Sequence, residues 1–219
     1  MTFAELVSRL RSVETSCLCD AKKTLRVLDV GIRPIAPGLK LIGRAFPVPC
    51  CDDFLRVLTA IREAAPGDVL VVDGQGGHKA LAGELFATEA RRRGLAGLVV
   101  DGAVRDVATL RTLGWPVYTR LITPIAGAAG SMSSTPLPVS CGGVTVLPGD
   151  IVIGDDDGLV VASEAELAEI LPTAEAIQRS EAEALRRMAA GESLLDMLNL
   201  DEHMDAIRAG RKSQLRFRF

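Results

Sequence analysis

Arginine and aspartate stand side by side at positions 105 and 106, just beyond an apolar run, Leu98-Val99-Val100, that closes with Asp101 and Gly102. Open α/β sheets gather their binding groups beyond the carboxyl ends of strands, so a bare cation–anion pair there is a candidate site. Taken alone, the pair has an equally good structural explanation: Asp106 can cap the helix expected over Val107 to Leu113. Glu84 shifts the balance, because a second strand-end loop delivers it and one guanidinium with two carboxylates can converge on one crevice. Hard oxygen ligands beside a single arginine suit a divalent cation that holds a small keto acid or another anion.

Other chemistry-bearing stretches are weaker. Gly74-Gln75-Gly76-Gly77 after a strand, with Asp101 ending the next strand, matches half of a dinucleotide-binding fingerprint, but Lys79 stands where the third glycine belongs. Only His78 and His203 offer imidazoles, and no Gly-x-Ser-x-Gly elbow accompanies them, so a Ser-His-Asp triad is not indicated. Asp155-Asp156-Asp157-Gly158 lacks the spaced ligands and closing glutamate of a calcium loop and reads as a solvated hairpin turn. The cysteines at 17, 19, 50, 51 and 141 fit neither zinc nor disulfide spacing and read as buried or half-buried free thiols.

Composition limits what the site can belong to. With 219 residues, 48% of them hydrophobic, the chain can bury one proper core, and a domain over 1–190 with a helical tail over 191–219 is expected. The net charge of −3 supplies no basic field for a phosphate backbone, and 4% aromatic content supplies little base-stacking surface, so direct nucleic-acid binding is not expected. The first residues do not read as a signal leader, nor does any apolar run approach the length of a bilayer span; a cytoplasmic protein without membrane contact is expected.

The elements that must position the pair follow from spacing. Thr2 and Glu5 form a capping box ahead of Phe3, Leu6, Val7 and Leu10, predicting a helix to about Val13, and a short second helix is expected over Ser16 to Lys23. Residues 41–48 alternate as a strand whose prolines predict a sheet edge, and Asp52 or Asp53 should cap a helix carrying Leu55, Leu58 and Ile61. Val69 to Val72 reads as a strand covered on both faces. The helix after the glycine loop can start anywhere between Lys79 and Gly83 and stops at Gly94. A strand at Leu98, a short helix to Gly114 and a strand near Val117 complete an alternating pattern that implies a parallel α/β core. The small residues from Ile122 to Pro136 predict a mobile loop over the site. Four short strands with Gly-rich turns between them predict antiparallel hairpins up to Val161, so the sheet content is mixed. Ser163 and Glu166 start a long helix to about Ala190, and beyond Gly191 the tail should expose Leu194, Leu195, Met197 and Leu198 as a stripe.

Taken as an ordered set, Asp73-Gly74, Gly83-Glu84-Leu85, Asp101 to Val107, Pro138 to Gly143, Pro148-Gly149-Asp150 and Gly154 to Gly158 resemble the RraA-like family. That family holds the regulator of ribonuclease activity A and the 4-hydroxy-4-methyl-2-oxoglutarate (HMG) aldolases, and the likeness spans roughly residues 15 to 195. The resemblance implies a swivelling α/β/β fold and a homotrimer or hexamer with sites near subunit boundaries. It implies that Arg105 binds a pyruvyl group and steadies its enolate, and that Asp106 holds Mg2+ or Mn2+ directly or through water. Glu84 would order the water that protonates the enolate, while Gly83 opens the helix whose next amides, Leu85 and Phe86, take the carboxylate; helix N-termini are anion sites.

One position departs from the aldolase pattern, which has Asp or Glu three residues after the metal aspartate where this chain has Thr109. A hydroxyl can hold a metal-bound water but brings no charge. The expectation is a metal-dependent lyase that cleaves HMG-type 4-hydroxy-2-oxo acids to pyruvate, with oxaloacetate decarboxylation beside it. The alternative is a non-catalytic protein that binds and inhibits a ribonuclease. A methyltransferase reading lacks a glycine-rich cofactor fingerprint.

Overall fold

The computed structural model describes residues 1–131 and 136–219. Its first helix, α1 (Phe3–Leu10), opens on the expected capping box, Thr2 and Glu5 each accepting the other's amide. Then come α2 (Thr15–Ala21), β1 (Arg26–Val27), β2 (Arg33–Pro34), β3 (Leu41–Pro49), α3 (Leu55–Glu63) and β4 (Asp68–Asp73). β5 (Ala80–Ala82), α4 (Glu84–Arg92), β6 (Gly97–Val104), α5 (Val107–Thr112) and β7 (Val117–Ile122) carry the candidate site. The hairpin strands are β8 (Val139–Cys141), β9 (Val144–Val146), β10 (Ile151–Gly154) and β11 (Leu159–Ala162), and α6 (Glu164–Ala189), α7 (Leu194–Met197) and α8 (Leu200–Arg208) close the chain.

The main sheet runs β1-β11-β10-β3-β4-β6-β7-β2, with β5 added beside β6. Its centre, β3-β4-β6-β7, is parallel, and antiparallel strands flank it on both sides. Val69 to Val72 and Leu98 to Val100 are buried throughout, which is why these strands are continuous apolar runs rather than alternating ones. One face packs against α3, α4 and Trp115; the other meets the β8–β9 hairpin through Val71, Val99, Tyr118, Val139 and Val146. A third cluster seats α1, α2 and α6 on β10 and β11. The α/β/β layering is the one the resemblance implies, and the C-terminal helices are the tail expected from the residues beyond Gly191.

Several expectations need correction. Residues 41–49 lie inside the sheet rather than at its edge. The Ala45 amide donates to Asp150, and Pro47 and Pro49 face that same side past the start of β10, where no ladder amide is required. Thus the prolines mark where one neighbour ends. β6 runs through Asp101 and Gly102 to Val104, and β5 intervenes before α4, whose start at Glu84 is the later of the two expected. Asp53 accepts from the Leu55 amide, yet Phe54 holds the cap position of α3, and Leu58 faces solvent while Val57 and Ala60 are buried. Cys51 is exposed, unlike the other thiols.

The loop expected to be mobile over 122–136 falls partly outside the described residues. Its described part is tied down: Ala80 donates to Ile125, Gly127 donates to Ala80, and Ala128 donates to Asp52. In the tail, Met197 is buried instead of exposed, because the chain returns and pairs Leu198 with Phe217. Leu194 and Leu195 remain at the surface.

The 155–158 turn joins β10 to β11 with Asp156 and Asp157 exposed as expected, but its first residue is not solvated. Asp155 is 7% exposed and accepts from the Thr15 amide (2.8 Å), the Thr15 hydroxyl (2.6 Å) and Lys40 Nζ (3.0 Å), fastening α2 to the β10–β11 turn. Burial pushes its pKa up, but the Thr15 and Lys40 contacts outweigh that and hold it at about 2, below the ordinary 3.8. A depressed carboxyl stabilises the fold above its unfolded pKa and loses that contribution as pH falls through the folded one. Asp155→Asn should therefore cost about 3–5 kcal/mol at neutral pH, the penalty for breaking a buried pair. In urea titrations the deficit should shrink between about pH 4 and pH 2.

Candidate active site

The site is built where β5 and β6 end together. The Arg105 amide donates to the Ala82 carbonyl (3.0 Å), so the chain leaving β5 and the chain leaving β6 are clamped side by side. Gly83 then turns the first into α4. A Cβ on Gly83 would strike the Asp106 carboxylate and Arg105 Cγ, so this close approach requires glycine.

Asp106 occupies the cap position of α5 with φ 59° and ψ 36°, the left-handed region, which costs a non-glycine residue about 1 kcal/mol or more. Its side chain does not cap α5. Instead Oδ2 accepts from the Glu84 amide (3.1 Å), the first amide of α4, and lies 3.5 Å from Arg105 Nε. The simple helix-capping explanation therefore fails, because the carboxylate serves the neighbouring helix and the neighbouring cation.

The Arg105 and Asp106 side chains are 44% and 39% exposed, and exposed pairs contribute about 0–1 kcal/mol. A strained backbone that supports a pair of so little stabilising value points to a site rather than to a structural clamp. The Leu85 and Phe86 amides, next along the first turn of α4, have no intrahelical acceptor, since that ladder begins with Ala87 donating to Gly83. They are free to take an anion, and the helix dipole favours one there.

Two hollows flank the pair. One, about 100 Å3, is walled by Phe54, Leu81, Leu85, Phe86 and Ala126; the other, about 330 Å3, by Val107, Ile122, Thr123 and Pro124. Arg105 and Asp106 line both. Phe54 meets Phe86 edge to face at 5.6 Å. No pattern in the sequence marks Phe54, Ala126 or Thr123; only the crossing of the 123–128 segment over β5 brings them here.

No three His, Cys, Asp or Glu side chains gather as a metal site among the described residues. The donors fit a hydrated divalent cation nonetheless: Asp106 presents a solvent-facing carboxylate, with the Thr109 hydroxyl one turn away. Magnesium commonly keeps several waters and takes one or two carboxylates plus substrate oxygens. Glu84 touches Asp106 through its amide; its side chain is exposed and lines neither hollow, so the expected second carboxylate stands beside the crevice and not within it.

The other candidates lie elsewhere. The Gly74–His78 loop leads into β5 rather than a helix, which removes the context a dinucleotide fingerprint needs. His78 is exposed, and His203 hydrogen-bonds Ser213 in the tail. Asp101 is structural: it accepts from Arg120 Nε (2.5 Å) and the Gly142 amide (2.6 Å), and Arg120 also reaches Asp29 (2.7 Å). This ion network, absent from the sequence reading, locks β6, β7 and the β8–β9 turn behind the site.

The family model described as RraA-like, Aldolase/RraA, matches residues 15–161. The chain belongs to the RraA-like family. A provisionally named 4-hydroxy-4-methyl-2-oxoglutarate aldolase from Halalkalibacterium halodurans is 36% identical over 172 residues, 78% of this chain and 82% of that one. The RNA-processing inhibitor RraA from Thermus thermophilis superposes with a TM-score of 0.65 at 31% identity, covering 70% of this chain and 94% of its own. RraAS2 of Streptomyces coelicolor, described as an unusual member of the RNase ES inhibitor RraA protein family, gives 0.70 at 30% identity, covering 86% and 100%. The matched span contains the whole Arg105–Asp106 site, while the tail beyond α6 lies outside it.

Gly83→Ala tests the RraA-like geometry directly. It should leave the melting temperature within a few degrees, since φ at Gly83 is −166° and any residue adopts that backbone. Displacing the Asp106 carboxylate should weaken binding of oxalate, a pyruvate-enolate mimic, by about tenfold or more in calorimetric titration with magnesium present.

Proposed function

We propose that this protein is a divalent-metal-dependent lyase that releases pyruvate from 4-hydroxy-2-oxo acids of the HMG type, with oxaloacetate decarboxylation as a side activity. The observation that carries the reading is the convergence of Arg105, Asp106 and the free Leu85 and Phe86 amides at one solvent-facing point. The provisionally named aldolase relative supports it.

The amides of α4 take the substrate carboxylate, and Arg105 presents its guanidinium to the 2-oxo oxygen. Asp106 would hold a divalent cation, which would supply Lewis-acid charge for enolate formation. The 4-hydroxyl gives its proton to water ordered at Glu84, the C3–C4 bond breaks, and its electron pair passes into the enolate of pyruvate. Arg105 neutralises the developing oxyanion, where a positioned charge acts most strongly. Returning the proton to C3 gives pyruvate, and C4 leaves as a carbonyl compound. With oxaloacetate the C3–C4 bond releases carbon dioxide and leaves the same enolate.

Thr109 favours a second reading, an interaction protein that inhibits a ribonuclease, because it removes a charge near the metal position and RraA proteins are among the structural neighbours. We also propose a homotrimer or hexamer: Leu85, Ile122 and Ile125 lie at 74%, 60% and 62% exposure beside the site, more apolar surface than a monomer ordinarily leaves in one region. Light scattering at micromolar concentration should show a mass well above one chain.

Oxaloacetate turnover separates the two functional readings. Activity should require added magnesium or manganese, vanish in Asp106→Ala, and fall by about 10²–10³-fold in Arg105→Lys, where a point charge replaces a planar two-pronged donor. Thr109→Glu should raise turnover at low metal, because ligand charge tunes affinity for hard cations. Activity that survives chelation, or no turnover of oxaloacetate or HMG at saturating metal, would leave the interaction protein as the better account.

A further inference from the structure

Resting on the lyase reading, we infer that Asp53 is a positioning residue for the reaction: its buried carboxylate fixes Phe54 and the 126–131 segment as two walls of the hollow beside Arg105. Asp53 touches no reacting atom. It acts through the walls it joins.

The sequence marks Asp53 as a helix cap, a task that takes one carboxylate oxygen. Oδ1 does accept from the Leu55 amide (2.9 Å). Oδ2 does something a cap does not: it accepts from the amides of Gly130 and Ser131 (2.8 Å each), 77 and 78 residues further on. These amides, Gly130 foremost, outweigh burial and hold the carboxyl below its ordinary range, so it remains an anion. At 8% exposure its donors are the only return for its lost hydration, and all of them belong to its own chain. A neighbouring copy can therefore add to this hollow without replacing the clasp.

The residues around Asp53 grip the same segment. Ala128 donates to the Asp52 carbonyl and Phe54 donates to the Ala128 carbonyl (2.8 Å each), while Arg56 reaches the Ser131 hydroxyl (2.8 Å). The approach is so close that a Cβ on Gly127 would strike the Asp52 carbonyl. Asp52 itself has φ 50°, in the left-handed region, and its carboxylate takes the Lys79 amide just ahead of β5. Backbone strain held by several hydrogen bonds is concentrated at functional sites. From Ala128 the segment crosses β5, where Gly127 donates to Ala80 and Ala80 donates to Ile125. Ala126, between those contacts, lines the hollow together with Phe54, whose ring meets Phe86 in the first turn of α4. One carboxylate thus ties both walls together and, through Phe54, braces the turn whose amides take the substrate carboxylate.

Loosening the clasp withdraws the walls from bound substrate while β6 keeps Arg105 and Asp106 in place. Contacts of that kind are made alike in the ground and transition states, and their loss raises KM more than it lowers kcat. A merely structural role acts in the opposite way: fewer folded molecules lower kcat and leave KM alone.

Two variants break the clasp from opposite sides. Asp53→Asn turns an amide group towards one of the N–H donors, and Ser131→Pro removes a donor while leaving the carboxylate in place. Pyruvate release from HMG is measured with saturating magnesium on the full chain, and amide exchange over 128–131 is followed by mass spectrometry. We expect each variant to raise KM about tenfold with kcat within about threefold, and to speed exchange over 128–131. The double variant should be no worse than the more affected single one, because both break one contact. KM unchanged in either folded variant overturns the inference and leaves the lyase reading standing. So does a fall in kcat alone, or a double variant whose two effects multiply. If Asp53→Asn does not fold, Ser131→Pro decides by the same criteria. No pyruvate from the wild type overturns the lyase reading and the inference together.

Discussion

The site depends on one hydrogen bond, from the first amide of α4 to the carboxylate of Asp106. It joins the end of β5, through Gly83, to the end of β6, through Arg105, and it fixes the carboxylate that α5 would otherwise take as its own cap. Most of the surrounding architecture serves that contact. β4 and β6 are buried on both faces and cannot shift, the Arg120 network holds β6 to β7, and glycine at 83 lets the two strand ends approach. Little of this stabilises the fold: the pair is exposed, and Asp106 is held in a disfavoured backbone region. Such expenditure at one point is the physical mark of function.

Much of this was legible in the sequence because the relevant signals are local. Continuous β-branched runs give strands covered on both faces, and the Thr2–Glu5 and Ser163–Glu166 pairs give helix starts. Arg105-Asp106 directly after such a run marks a strand end, which survives in the structure, while the start of the next helix stayed open between Lys79 and Gly83, and β5 fills that interval. What was not legible is long-range. The prolines of β3 read as edge residues because no local pattern states that β10 begins opposite Arg44 and covers only the first half of β3. Within the solvated 155–158 turn, the burial of Asp155 was not legible because its partners, Thr15 and Lys40, lie more than a hundred residues away. Phe54, Ala126 and Thr123 gained their places only when the 123–128 segment crossed β5.

The RraA-like family contains both a relative provisionally named an aldolase and proteins described as RNA-processing inhibitors, so membership alone does not choose between them. The choice rests on whether one carboxylate and one hydroxyl can hold a hydrated cation beside Arg105. Ligand charge sets how tightly the cation binds, whereas enolate stabilisation is set by where Arg105 and the α4 amides point. Replacing an acid with Thr109 therefore weakens the first more than the second. On the proposed reading this geometry belongs to an enzyme with a raised demand for metal, in contrast to a vestige whose groups no longer converge.

The central claim is that Arg105, Asp106 and the start of α4 together stabilise the enolate of pyruvate. Hydrogen–deuterium exchange at C3 of pyruvate, followed by proton NMR in deuterated buffer with magnesium, reads that step without any bond cleavage or substrate preference. The account predicts that the protein accelerates exchange well above the buffer rate and that Arg105→Lys abolishes most of the acceleration. Exchange no faster than in buffer and magnesium alone would contradict it.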